Sequence, residues 1–260
     1  MSSYRIMSRL AAAGVMLWAS GPARAALPDE IQVYDDTLNA PGEASLELHL
    51  NTTPDGRAAP DYAGETVARH GARATAEFAY GLSPRLEAGL YLPTAYDPVH
   101  GYTIAGAKLR LKWMWTDHAA GGGPYAGVNF ELGHVERRFE QATDNLEVRT
   151  IFGSTTTHWL LAANPTFEVP LNAGARGGAP DLQLQLRALR RLSETTAAGL
   201  EYYDDAGRVS HFVAAGQMQH TVYAVLETPL PRHVDFHVGV GYGWAGADRL
   251  TVKMILGLPL

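Results

Sequence analysis

Apolar and polar residues alternate with a period of two along most of this chain. In residues 105–115, Ala, Leu and Trp alternate with Lys108, Arg110 and Lys112. Successive side chains of a β-strand point to opposite faces of its sheet, so this segment predicts a strand with one apolar and one cationic face. Similar segments recur about twelve times between residues 42 and 260. The last of them, residues 251–260, reads TVKMILGLPL and predicts an apolar closing strand.

Two segments fit the alternation less well. Residues 158–169 are apolar on both faces and contain Asn164-Pro165, which predicts a bulge or a break in the hydrogen-bonded ladder because proline cannot donate to it. Residues 217–227 predict a weaker strand.

The connections between the predicted strands alternate between long and short. The predicted long connections are 52–69, 93–103, 137–145, 170–180 and 204–216, and the short ones are 83–84, 116–124, 154–157, 191–195 and 229–232. Outer-membrane barrels have long outer loops and short periplasmic turns. The pattern therefore predicts an all-β protein, an antiparallel up-and-down transmembrane β-barrel of about twelve strands.

Aromatic residues are predicted to form two bands at the ends of this barrel. Beside the short connections lie Tyr80, Trp113, Trp115, Tyr125 and Trp159; beside the long ones lie Tyr91, Tyr96, Tyr102, Tyr202, Tyr242 and Trp244. Transmembrane barrels carry aromatic girdles at both membrane interfaces. The alternative is a soluble periplasmic ligand-binding barrel, which would bury its apolar face and expose its charges.

The N-terminus predicts a secretory signal peptide over residues 1–25. Arg5 and Arg9 precede a short apolar run at 10–20, and Ala23-Arg24-Ala25 has the small-residue form of a cleavage site. Residues 26–41 are then a periplasmic lead-in or a segment inside the lumen, and residues 42–260 form the barrel. These features predict the outer membrane of a Gram-negative bacterium, after cleavage near Ala25.

The amino-acid composition of the chain reduces the number of functions that it could have. The formal charge is −6, and removal of Arg5, Arg9 and Arg24 makes it −9, which disfavours nucleic-acid binding. The absence of Cys excludes disulfides and a lipid anchor on cysteine. We expect no cofactor; the expected partners are outer-membrane lipids, lipopolysaccharide and the barrel assembly machinery, and the oligomeric state is left open.

Several segments resemble an uncharacterised family of proteobacterial outer-membrane β-barrel proteins. They are YGLSPRLEAGLYLP (80–93), AGAKLRLKW (105–113), AGVNFEL (126–132) and LPDEIQVYDD (27–36). The hairpin around residues 81–89 is also similar to barrels linked to phenol degradation. The resemblance implies a barrel fold and an outer-membrane location, without a substrate. The chain departs from most outer-membrane barrels in ending on Leu260 instead of an aromatic residue.

Charged residues on the polar strand faces are the candidate lumen-lining residues. Arg or Lys facing lipid at the midplane would cost about 2–4 kcal/mol, so charges are expected inside. The candidates are Glu47, Glu77, Glu87, Lys108, Arg110, Lys112, Glu131, Arg149, Arg187 and Glu201. They can pair across the lumen and close it, or line a wet pore and set its ion preference.

Candidate chemistry beyond transport is sparse. His233, Asp235 and His237 share one strand face, but the outer two lie about 13 Å apart, so a metal site would need ligands from another strand. An outer-membrane lipid-modifying enzyme would use a serine with a histidine. Ser45 and His49 share a face but are too far apart along one strand to bond directly. No catalytic residue is therefore assigned, and the predicted function is a narrow pore or transporter for small solutes, or a structural barrel.

Overall fold

The computed structural model describes residues 28–116, 122–172, 178–232 and 234–260; the predicted signal peptide lies outside them. Within these residues the chain forms β-strands and no helix. The strands are β1 (Ala44–Asp55), β2 (Ala72–Ser83), β3 (Leu86–Asp97), β4 (Gly101–Ile104), β5 (Gly106–Met114), β6 (Gly123–Val135), β7 (Asp144–Thr155), β8 (Trp159–Pro170), β9 (Asp181–Arg191), β10 (Ala197–Arg208), β11 (Gln219–Leu230), β12 (Val234–Ala245) and β13 (Leu250–Pro259).

Consecutive strands pair antiparallel and the sheet closes on itself. β1 pairs with both β2 and β13, and β2 also pairs with β3, which completes the ring. β4 and β5 both pair with β3 and form one interrupted strand, so the barrel wall has twelve strands. The predicted antiparallel barrel of about twelve strands is confirmed.

The interruption between β4 and β5 is a one-residue bulge. Thr94 pairs with Ile104, whereas Tyr91 pairs with Lys108, so three steps on β3 match four steps on β4 and β5. Gly106 has a φ of 157° at this point, and a Cβ there would lie 2.1 Å from the His134 carbonyl oxygen. The predicted loop 93–103 is wrong, because β3 and β4 extend as a hairpin through most of it.

The ambiguous segment 158–169 forms β8, with a gap in its ladder to β7. Arg149 pairs with Thr166 and Phe152 with Ala163, so the register is preserved while the two pairs between them are missing. Pro165 lies in this gap. The predicted break is observed, without a bulge. The weaker strand predicted at 217–227 is β11, which pairs with β12 along its whole length.

Apolar side chains cover the outer face of the barrel. Examples are Leu82, Leu109, Leu132, Leu200 and Val240, with exposed fractions between 49% and 60%. The polar face, by contrast, is buried inside the barrel. The soluble-barrel alternative predicts the opposite arrangement, with the charges exposed, and it is therefore wrong. None of the described residues belongs to a helix long and apolar enough to cross a membrane.

Two of the predicted band aromatics lie inside the barrel instead. Tyr91 is fully buried, and Tyr125 is 5% exposed and donates its hydroxyl to the Leu161 carbonyl oxygen at 2.9 Å. Both lie on the same strand face as the polar residues. The alternation of the strand therefore points their side chains inward, although both residues lie near a connection. Tyr80, Tyr96, Trp113 and the other aromatics with exposed side chains lie on the outer face: Tyr102, Trp115, Trp159, Tyr242 and Trp244.

Candidate functional site: the lumen and its N-terminal segment

Residues 28–41, here called the lumen segment, run lengthwise through the barrel. At the barrel end that carries connections 56–71, 136–143 and 209–218 (the long-loop end), the Asn51 amide donates to the carbonyl oxygens of Pro28 and Asp29 at 3.1 and 3.2 Å. At the opposite, short-turn end, the Gly42 amide donates to the Gly81 carbonyl oxygen at 2.9 Å. Residues 28–41 are thus bonded to the barrel at both of its ends.

The backbone of the lumen segment is bonded mainly by side chains of the barrel wall. The ammonium of Lys253 donates to the Ile31 carbonyl oxygen at 3.0 Å, and that of Lys112 to the Thr37 carbonyl oxygen at 2.8 Å. Arg149 donates to the Gln32 carbonyl oxygen at 3.2 Å. Buried backbone groups need partners, and here inward cations supply them instead of a neighbouring strand.

Tyr34 is the central anchor of the lumen segment. The Asn164 side chain bonds both its backbone amide, at 2.6 Å, and its carbonyl oxygen, at 3.0 Å. Its hydroxyl meets that of Tyr91 at 2.5 Å, and the Arg149 guanidinium lies 4.4 Å from the centre of its ring. Tyr34 is 3% exposed, so its ring fills the lumen at this level.

The segment crosses β2 where a side chain has no room. A Cβ on Gly81 would lie 2.2 Å from the carbonyl oxygen of Ala40. Glycine at this position therefore lets the backbone of the lumen segment pass close to the wall.

One group of ion pairs surrounds Arg110. Its guanidinium lies 2.9 Å from the Glu77 carboxylate and 2.6 Å from that of Glu87. His49 is fully buried and bonds Glu77 at 3.0 Å, and Glu47 lies 3.7 Å from the same histidine. Glu87 also accepts the backbone amide of Asn39 at 2.6 Å, which ties this group to the lumen segment.

A second group surrounds Glu201, which is 1% exposed. Its carboxylate pairs with Lys253 and, at 3.0 Å, with Arg187. Arg187 also pairs with Glu227 and, at 3.2 Å, with Asp35 of the lumen segment. One guanidinium thus joins three carboxylates on three parts of the chain.

All ten predicted lumen-lining residues lie on the inner face. The two not yet described are also bonded: Lys108 pairs with Asp29 at 2.9 Å, and Glu131 accepts from Tyr34 at 3.3 Å. Arg149 also pairs with Glu147 at 2.9 Å. Their role in transport stays a prediction.

Sequence reasoning missed the residues that meet these candidates from the lumen segment, Glu30, Tyr34 and Asp35. Nothing periodic marks them, because the segment is not a strand. Lys253 could have been found, since it occupies the inward face of the predicted closing strand.

Two of the three predicted metal-binding residues lie within the described part of the chain. His233 lies outside the described residues, and Asp235 is exposed whereas His237 is buried. His237 instead joins Glu201 and Glu227, whose ligand atoms lie within 4.8 Å of one another. Arg187 and Lys253 already occupy these carboxylates, so a metal ion would have to displace both cations.

No serine–histidine pair forms from the residues considered for an enzyme. Ser45 accepts a hydrogen bond from the Asn39 amide at 2.8 Å, while His49 bonds Glu77. The enzyme alternative thus has no support from this pair.

The loops at the long-loop end are fastened to each other and to the rim. Arg57 pairs with Asp61 and lies 3.5 Å from the carboxylate of Asp248. The Thr66 amide donates to the Arg138 carbonyl oxygen at 2.7 Å. Burial raises the pKa of the Glu65 carboxyl, although Arg57 opposes the shift. Loop 56–71 is thus bonded both to loop 136–143 and to the turn that carries Asp248.

The fold is similar to solved outer-membrane channels, while sequence comparisons find nothing. No family model and no curated protein matches the chain, so the likeness to phenol-degradation barrels gains no support from them. The COG4313 outer membrane channel from Pseudomonas putida F1 superposes with a TM-score of 0.58 at 12% identity, covering 89% of this chain and 100% of that one. The KdgM porin gives 0.56 at 8% identity, covering 83% and 99%. At such identities the likeness concerns the fold.

Proposed function

We propose that this protein is a narrow outer-membrane channel for small polar solutes, closed at rest by its lumen segment. The apolar outer face suits lipid, and the charged inner face suits water and solutes. The folds it is similar to are those of channels. The long-loop end would face outward, and the chain would reach the membrane through its predicted signal peptide and the assembly machinery.

The way the lumen segment is held carries this proposal. Its carbonyl oxygens at Ile31, Gln32 and Thr37 accept hydrogen bonds from the side chains of Lys253, Arg149 and Lys112. Water can replace each of these donors, whereas a segment paired as a strand would have to break a continuous ladder. The lumen segment can therefore leave while the wall stays closed.

Displacement of the lumen segment is the test. Val33 is 1% exposed, and the chain has no Cys, so Val33→Cys introduces a single buried thiol. In planar bilayers, we expect brief openings of the folded protein, and a membrane-impermeant thiol reagent should lock Val33→Cys open during those openings. Val99→Cys, at a position 83% exposed, should react at once without any change in current.

Two outcomes would contradict the proposal. One is a silent bilayer with protein that shows the mobility shift of a folded barrel on unboiled gels. The other is steady conductance while the thiol at position 33 stays unreactive, because ions would then pass beside a fixed segment.

A further inference from the structure

A cavity of about 210 Å³ lies at the long-loop end of the lumen, above the start of the lumen segment. Residues 28–32 line one side of it, and the wall and the loops at this end contribute the rest. Nine acidic and three basic residues line this cavity, so acidic side chains predominate in it. Its volume is that of roughly seven water molecules, so it can hold one small solute molecule but not a chain of several linked units.

Arg73 is a buried cation with an unsatisfied hydrogen-bond donor. It is 5% exposed and lines the cavity, and its guanidinium lies 4.2 Å from the centre of the Phe139 ring. Its Nη1 atom has no hydrogen bond, and within the described residues Arg73 forms no ion pair. Asp29, the acid beside it, is bonded to Lys108. A buried guanidinium without an acceptor is costly, and a carboxylate matches its paired donors.

Three acids of the same cavity form no direct ion pair within the described part of the chain. Glu168 accepts the side-chain amides of Asn145 at 3.2 Å and Gln183 at 3.4 Å, and it shares a hydrogen bond with Glu140. Asp205 accepts the Gly207 amide at 2.8 Å. Glu140 bonds the amide of Asn145. Three acids without a direct ion pair favour a cationic group in the ligand.

We propose that this cavity binds a free α-amino acid, with its carboxylate on Arg73 and its ammonium groups among Glu140, Glu168 and Asp205. The excess of acids favours a basic side chain over a neutral one. The inference deepens the proposed function, since it names the solute class that would enter the channel.

The test compares two ligands that differ in the carboxylate. Titration calorimetry of the folded full mature chain in detergent would use L-lysine and 1,5-diaminopentane, which is lysine without its carboxylate. We expect lysine to bind about tenfold more tightly, the effect of one charge-assisted pair. Equal affinities, or no binding of either ligand, would overturn the proposal.

Variants assign that difference to Arg73. Arg73→Gln should remove the preference for lysine, and Arg73→Lys should keep part of it. Glu168→Gln should weaken both ligands, and Arg85→Gln, at an exposed turn residue of the short-turn end, should change neither. Each variant is first shown to give the mobility shift of a folded barrel. A lysine preference that persists in folded Arg73→Gln would refute the role of Arg73.

The proposed binding site and the proposed channel can be refuted independently of each other. Lysine binding by protein that never conducts would leave the site intact and refute the channel. Conductance without any lysine binding would leave the channel intact and refute the site.

Discussion

Lys253 shows how a single residue joins the wall to the lumen segment. It is fully buried, and its ammonium donates to the Ile31 carbonyl oxygen, to the Tyr203 hydroxyl at 3.1 Å and to Glu201. The cost of burying this charge is met only because all three acceptors are present. Alternation predicts that such a residue points inward, but it does not predict which acceptors it meets.

Neutralising Glu201 should therefore destabilise the folded protein. Glu201→Gln keeps the shape of the side chain but leaves Lys253 and Arg187 without their shared carboxylate. We expect the free energy of unfolding to fall by about 3–5 kcal/mol, as for other broken buried ion pairs. Urea titration in lipid vesicles, followed by tryptophan fluorescence, measures it.

The matched control is Glu194→Gln, at an exposed residue of a turn, where the change should stay within about 0.5 kcal/mol. A similar small effect for Glu201→Gln would mean that the ion pairs around it contribute little to stability.

Among the elements, β8 is the one whose sequence conflicts with its neighbour. The register between β7 and β8 places Pro165 opposite Thr150, in the gap between the pairs Arg149–Thr166 and Phe152–Ala163. The Thr150 hydroxyl donates to the Pro165 carbonyl oxygen at 2.8 Å, which partly compensates for the missing ladder. Proline lacks the amide hydrogen that this position would otherwise contribute.

Restoring that donor should stabilise the barrel. We expect Pro165→Ala to raise the free energy of unfolding by about 1 kcal/mol, the net value of one hydrogen bond. Pro84→Ala, in the exposed turn between β2 and β3, is the comparison, and it should lower the free energy through the unfolded chain by about 0.4–1 kcal/mol. Urea unfolding of both variants decides the matter, and a loss of stability for Pro165→Ala would show that the break itself is needed.

On the scale of the whole molecule, polarity is inverted relative to a soluble protein. Phe130, 39% exposed, lies on the outer face, whereas its neighbours Asn129 and Glu131 are buried inside. This arrangement is stable where the outer face meets lipid and the inner face meets water or ion pairs.

A charge on the outer face tests that orientation. We expect Phe130→Arg to lower the free energy of unfolding in vesicles by about 2–4 kcal/mol if the residue lies near the midplane. Val99→Arg, in the exposed hairpin at the long-loop end, should change it by less than about 0.5 kcal/mol. Equal tolerance of both substitutions would contradict a lipid-facing surface at Phe130.

The period-two pattern by itself determined the barrel, its strand number and the face of residues such as Lys108 and Glu201. Strand geometry is local, because each side chain points opposite to the one before it. The same rule, applied strictly, would also have placed Tyr91 and Tyr125 inside. The hairpin of β3 and β4 was harder to predict, because its bulge shifts the alternation by one residue.

Only the tertiary structure decided what fills the barrel. Residues 28–41 carry no period, and their conformation is set by donors from distant strands, such as Asn164 to Tyr34 and Lys253 to Ile31. The same holds for Asp29, whose carboxylate pairs with Lys108 while the Nη1 atom of Arg73 has no hydrogen bond. Such pairings join residues far apart in the chain, and they exist only after closure has brought twelve inner faces to one axis.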